Sequence, residues 1–301
     1  MRNKWQLIWR DLKRDRQSYV LIGPYFLLFF VFTVLPVVLS FAFSFTYFNM
    51  LEPPRFIGWQ NYGRLFLDDD IWLIALKNTL LFAFITGPVS YFACFFIAWV
   101  INEFRPWIRA ILVLIFYAPS ISGNVYIIWQ MIFWGDRYGW FNAQLIRLGI
   151  LVEPIEWLKH ADYMIWIVIL VQLWLSLGTG FLAFVAGLQT VDRTLYEAGA
   201  VDGIRNRWQE LWYITLPSMK PMLMFGAVIQ ITTSFGVAEV SMNIAGYPSV
   251  NYAAHTAVVH LLDYGMIRFE MGYASAIATV LFAIMVLTNL IIQRLLRKVG
   301  E

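Results

Sequence analysis

The stretch Asn78–Asn102, NTLLFAFITGPVSYFACFFIAWVIN, contains no charged residue. A helix needs about 20 largely apolar residues to cross a bilayer. A charge at the centre of such a helix costs about 2.5–3.5 kcal/mol on insertion scales. An uncharged run of this length therefore reads as a membrane span. Working outward, further uncharged runs cover Gln17–Leu51, Ala110–Gly135, Tyr163–Val191 and Met271–Gln293, and another begins at Pro221 and meets Glu239. The chain thus reads as an all-α integral membrane protein with six transmembrane helices at about 20–48, 76–101, 110–134, 163–189, 219–244 and 271–294. Residues 1–18 precede the membrane domain, which runs from 19 to 301.

Composition supports lipid as the solvent. Of 301 residues, 60% are hydrophobic and only 14% charged, against about 25% charged in soluble domains. The net charge of +3 is too small to suggest nucleic acid as a partner. The single cysteine, Cys94, lies inside an apolar run and reads as a packing residue. The first apolar run is too long for the core of a cleavable signal peptide.

Basic residues set an orientation. The N-terminal arm, Glu103–Arg109, Asp192–Lys220 and the C-terminal tail hold 15 of the 22 Lys and Arg. The positive-inside rule places these segments, and both termini, in the cytoplasm. The arm interleaves Arg2, Lys4, Arg10, Lys13, Arg14 and Arg16 with Trp5, Leu7, Ile8, Trp9 and Leu12, as in an amphipathic helix on the inner leaflet. On the outer side, Asp68-Asp69-Asp70 reads as a solvated helix start. Trp59, Trp72, Trp134, Trp140 and Trp157 read as an interfacial belt. Pro36, Pro88 and Pro119 fall inside spans, where neighbouring helices can satisfy the carbonyls they free.

Chemistry-bearing patterns are sparse. The dipeptide Gly-Lys never occurs, so the chain has no P-loop for nucleotide phosphates. Gly178-Thr179-Gly180-Phe181-Leu182-Ala183 matches a dinucleotide fingerprint but lies within an apolar span, where small residues serve close helix packing. His255 and His260 are five apart, on different faces of a helix, and read as surface residues rather than a metal pair. No metal site is expected, and no catalytic group.

The segment between the fourth and fifth spans is more informative. Thr194 to Ala200 suits a short helix, and Gly203 permits a sharp turn. Trp208, Leu211, Trp212 and Ile214 would form the apolar face of a second short helix, stopped by Pro217. Two short helices joined by glycine make a knob that could dock into a groove on another protein.

Glu197-Ala198-Gly199, then Asp202-Gly203, then Ile214-x-Leu216-Pro217 resembles the EAA motif of the permease subunits of binding-protein-dependent ABC importers. Gly199 stands where alanine is usual, and the spacing from Gly203 to Ile214 is one residue longer than usual, which predicts a rotation or bulge in the second short helix. Further blocks resemble the carbohydrate-uptake branch of that family: Phe56-Ile57-Gly58-Trp59-Gln60-Asn61-Tyr62, Ala75-Leu76-Lys77-Asn78-Thr79, Tyr117-Ala118-Pro119-Ser120-Ile121-Ser122 and Gly272-Tyr273-Ala274-Ser275-Ala276.

The resemblance implies a type I ABC importer permease fold with a cytoplasmic coupling helix in the loop 190–217. It implies one half of a translocation pathway in a bacterial plasma (inner) membrane. The implied partners are a second homologous permease, two ATP-binding subunits that carry ATP and Mg, an extracellular solute-binding protein and a carbohydrate, such as an oligosaccharide. Glu197, Ala198, Gly199, Asp202, Gly203, Ile214, Leu216 and Pro217 would couple the chain to the ATPase. A non-sugar solute, or an ion-coupled secondary transporter, are the alternatives; the latter would show ionisable residues at the membrane midplane.

Glu239 is the one acidic residue that ends an apolar run at membrane depth. With Gln230 and Asn243 it is a candidate for hydrogen-bonding a sugar in the pathway. Equally, it could lie at the outer interface or pair with an Arg of a partner permease. Asn251–Tyr264 reads as a short outer helix near a binding protein.

Overall fold

The computed structural model describes residues 16–297. The basic arm and the last four residues lie outside them, so the expected arm helix is not part of the description below. The described chain is mostly helical. Helix α1, Gln17–Phe43, is followed by a two-stranded antiparallel hairpin, β1 (Thr46–Tyr47) with β2 (Arg55–Phe56). Then come α2 (Asp70–Asn102), α3 (Pro106–Ile121), α4 (Tyr126–Ile132) and α5 (Trp140–Arg147). Helices α6 (Ala161–Leu175) and α7 (Thr179–Thr190) follow, then the short α8 (Arg193–Val201) and α9 (Arg207–Glu210). The chain ends with α10 (Lys220–Phe235), α11 (Glu239–Ala245), α12 (Ala257–Leu262) and α13 (Met271–Arg297).

Among the described residues, four helical stretches are long and apolar enough to cross a membrane, or up to six if each of two bent pairs counts as one span. Both bends depart from the straight spans expected from the sequence. The third span breaks after Ile121 and resumes at Tyr126 with an 87° turn, just beyond Pro119. The fifth is preceded by an 80° corner at Met219, and it ends at Phe235 rather than running on to residue 244. In α1, a π-turn at Phe30–Val34 directly precedes Pro36, whose ring nitrogen cannot donate to the helix ladder.

The bundle centres on α2, α7 and α10, which approach through glycines. A Cβ on Gly226 would lie 2.4 Å from the Phe184 ring, and one on Gly187 would lie 2.8 Å from Met222. A polar knot joins α2 to α10: Ser90 Oγ donates to Gln230 Oε1 at 3.0 Å, and Gln230 Nε2 lies 3.3 Å from Cys94 Sγ. Cys94 is a buried packing residue, as the sequence implied. By contrast, no residue in the apolar window of α1 is fully buried against the rest of the chain.

Three readings of the end opposite the α8–α9 segment are corrected. Asp69 is not solvated. As N-cap of α2 it accepts from Trp72 N at 2.9 Å, and its other oxygen takes the Tyr273 hydroxyl at 2.7 Å. His255 and His260 are not surface residues: both are buried, 3.1 Å apart. The helix-face rule fails because His255 precedes Thr256, the N-cap of α12, so the two rings do not share a helix. Trp72 is fully buried rather than interfacial, whereas Trp59, Trp134 and Trp140 are exposed. Among the described residues no cluster could hold a metal ion.

Candidate functional site

The α8–α9 segment is a closed two-helix knob at the end of the bundle where α2, α7 and α10 have their Asn102, Thr190 and Lys220 ends. Asp192 caps α8 by accepting from Thr194 N at 3.0 Å, and this backbone hydrogen bond holds its carboxyl below the usual carboxylate range. At the far end the chain reverses through a complete Schellman motif. Ile204 N donates to Gly199 O at 2.9 Å, Gly203 N donates to Ala200 O at 3.3 Å, and Gly203 sits at φ +95°. An L-residue with a Cβ is disfavoured at that φ. Asn206 then caps α9, accepting from Gln209 N at 2.9 Å, while Gln209 Oε1 accepts from Arg205 N at 2.8 Å.

Leu211–Thr215 continues α9 as a π-turn. A π-turn accommodates one residue beyond the α ladder, and it is the bulge that the longer spacing implied. It brings Ile214 against Gly199: a Cβ there would lie 2.7 Å from Ile214 Cδ1 and 3.0 Å from Ile204 Cδ1. The glycine leaves room for the ends of these two side chains. Tyr196 and Thr215 hydroxyls share a hydrogen bond of 2.9 Å across the two helices. Leu211 and Ile214 are buried, but Trp208 and Trp212 are exposed, so the expected apolar face is only half covered. Glu197, Ala198 and Asp202 lie exposed on the knob. Leu216 and Pro217 form the last helical turn before the corner at Met219. A cavity of about 540 Å³ opens beside the knob, lined in part by Glu103, Arg109, Arg193, Glu197 and Arg207.

The three pathway candidates do not meet. Gln230 is buried, its amide committed to Ser90 and Cys94. Glu239 and Asn243 are exposed one turn apart on α11, where Asn243 Nδ2 donates to the Glu239 carbonyl at 2.8 Å. The Glu239 carboxyl instead hydrogen-bonds Tyr126 of α4. A polar cleft that the sequence did not reveal lies where the span breaks between α6 and α7. Tyr117, Ser120, Gln172, Thr179, Gly180 and Thr233 line about 250 Å³ there, with the inner wall formed by Gln230. The signal available in the sequence was Ser176-Leu177-Gly178-Thr179, a break-prone run inside an apolar span.

An apolar bundle with two bent spans, a polar cleft at a helix break and a capped knob at one end defines an α-helical membrane protein. The family of binding-protein-dependent transport system inner membrane components matches residues 96–301, and the chain belongs to that family. It is 32% identical over 94% of its length to the probable ABC transporter permease protein YesP of Bacillus subtilis, covering 91% of that protein. It is 30% identical over 95% of its length to the arabinooligosaccharides transport system permease protein AraP of the same organism, again covering 91%. A bacterial alginate ABC transporter, solved in complex with an alginate pentasaccharide-bound periplasmic protein, contains a chain of the same fold. Its TM-score is 0.78 at 22% identity, covering 97% of this chain and 98% of that one.

Proposed function

We propose that the chain forms one half of the pathway of an ATP-driven carbohydrate importer and couples that pathway to separate ATPase subunits through the knob. The observation that carries this reading is the knob itself: a capped projection with an unshielded Glu197, on a chain without a P-loop. The basic residues of the arm, of Glu103–Arg109 and of the knob favour a cytoplasmic position for that end. The relatives support the carbohydrate class, since AraP is named for arabinooligosaccharides and the alginate transporter for an acidic polysaccharide. An oligosaccharide is the favoured cargo, delivered by an extracellular binding protein into a cleft completed by a second permease. Tyr117, Gln172, Thr179 and Thr233 are the side chains placed to line this chain's half.

In this mechanism Glu197 makes a polar contact with the ATPase, Gly203 holds the turn, and Leu216-Pro217 joins the knob to α10. ATP and Mg act on the partner ATPases. Their closure draws the knobs together, and the attached helices turn the pathway outward. Shifting such an equilibrium from 1:99 to 99:1 takes about 5.5 kcal/mol of differential binding, which nucleotide and loaded binding protein supply jointly. Gly203→Asp tests the reading. The variant is expected to insert normally while ATPase assembly or transport-coupled ATP hydrolysis is lost; normal transport by it would remove the knob from the mechanism.

A further inference from the structure

The knob has two covalent attachments. Residues 191 and 192 join it to α7, and the corner at Met219 joins it to α10 through an 80° bend. Helix α2 is the third member of the interlocked centre, yet the chain gives it no connection to the knob. Side chains supply one. Glu103, the C-cap residue of α2, meets the Arg207 guanidinium at 2.8 Å, and the same guanidinium holds Glu210 at 2.6 Å. One residue on, the Trp208 ring lies 5.2 Å from that of Trp99, one turn back on α2. Asn102 accepts from Arg109 Nη1 at 3.0 Å, which brings the first turn of α3 into the same assembly.

We propose that Arg207 and Trp208 are positioning residues that clamp the knob to α2 throughout the transport cycle, so that α2, α7 and α10 move as one block. The proposal rests on the coupling role of the knob. A sharp corner transmits a push poorly, because the bend can open instead of the helix moving. A lateral clamp on a helix of 33 residues, about 50 Å long, removes that slack. Tyr91 of α2 donates its hydroxyl to the Leu223 carbonyl of α10 at 3.2 Å and packs its ring 5.3 Å from Phe184 of α7, and Gly226 on Phe184 joins α7 to α10, so the displacement is carried across the block.

The chain suits a thiol test, since its one cysteine, Cys94, is buried. The test uses Glu103→Cys with Arg207→Cys in the complete importer, reconstituted in vesicles with its ATPases and binding protein, before and after bridging by a short bifunctional thiol reagent. Unbridged, solute moved per ATP hydrolysed is expected to fall about fivefold, the factor that corresponds to about 1 kcal/mol. Bridging is expected to restore it. Parental stoichiometry without the bridge, or failure of the bridge to rescue, overturns the clamp. Gly203→Asp in the same vesicles separates the two ideas. If it is uncoupled while the unbridged cysteine pair is not, only the clamp fails; if both couple normally, the knob has no role.

Discussion

The two ends of the bundle are fastened by opposite means. At the knob end the fastening is exposed: Arg207 reaches Glu103 and Glu210 with 60% of its side chain open to solvent. At the other end it is buried. Asp69 takes hydrogen bonds from Tyr273 and, at 3.1 Å, from His260; Asn78 Nδ2 donates to the carbonyls of Tyr252 and His255 at 3.1 and 2.9 Å; and Ala257 N donates to Thr79 Oγ1 at 2.8 Å. An exposed ion pair is worth at most about 1 kcal/mol, whereas removing one partner from a buried pair costs about 3–5 kcal/mol. The buried end therefore acts as an anchor, holding α2, α12 and α13 in one arrangement. The knob end, the handle, is tied to α2 by exposed side chains and leaves Glu197 open to solvent.

The largest effect should come from breaking the anchor. Asp69→Ala strands three donors, the Trp72 amide, the Tyr273 hydroxyl and His260, in a buried site. Stranding buried donors at about 1–3 kcal/mol each predicts a loss of about 3–5 kcal/mol, read as a fall in apparent Tm of the detergent-purified protein. Glu103→Ala, at the handle, should change Tm little. Equal losses from the two would erase the contrast.

The anchor should also be the acid-sensitive end. His260 donates from Nε2 to the Asp69 carboxylate, so its Nδ1 accepts from His255 Nε2, and His255 Nδ1 is left buried without a partner. Burial pushes His255 down to about 4, with the neighbouring His260 acting in the same direction against the carboxylates of Asp263 and Asp69. Burial lowers His260 as well, against the pull of Asp69. A histidine lowered on folding binds its proton more readily in the unfolded chain, so stability is full above the ordinary value of 6.5 and declines as pH falls towards 4. The decline should reach up to about 3 kcal/mol. Asp69 does not contribute within this window. Burial raises its carboxyl, but hydrogen bonds from Tyr273 and Trp72 N and the neighbouring His260 outweigh this and hold it below 3.8. Apparent Tm measured from about pH 7.5 to about pH 4.5 should slope downward in the parent and flatten in His255→Gln. Parallel slopes would show that the histidines are not the sensor.

The handle was legible in the sequence and the anchor was not, for one physical reason. Asp192, Gly203, Asn206 and Pro217 act on residues within one or two turns of themselves, so their chemistry can be read in place. The partners of Asp69 lie 191 and 204 residues away. Nothing near Asp68-Asp69-Asp70 distinguishes the buried carboxylate from its neighbours, and five-residue spacing says nothing about two histidines that share no helix. Four of the six apolar runs lie on helices long and apolar enough to cross a membrane, and the other two fall on bent pairs. Their bends at Ile121 and Met219 were not foreseen, because prolines inside such runs show where a helix is weakened, not which way it turns. Gln230 was a candidate for hydrogen-bonding a sugar; it lies at the cleft, and its amide is bonded to Ser90 and Cys94 of another span, partners that its own helix does not reveal.

The smallest effect should fall within the handle, at Gly199. Alanine there would gain about 0.5–1 kcal/mol of helix propensity, but its Cβ would crowd Ile214 Cδ1 and Ile204 Cδ1. Both atoms are the free ends of side chains that can rotate, so the crowding should roughly cancel the gain. Gly199→Ala alone should leave Tm close to that of the parent. Adding Ile214→Val removes the nearer of the two crowding atoms and should let the propensity gain appear as a small rise in Tm over Gly199→Ala. A large loss from Gly199→Ala, unrelieved by Ile214→Val, would mean that the knob is packed as rigidly as the anchor.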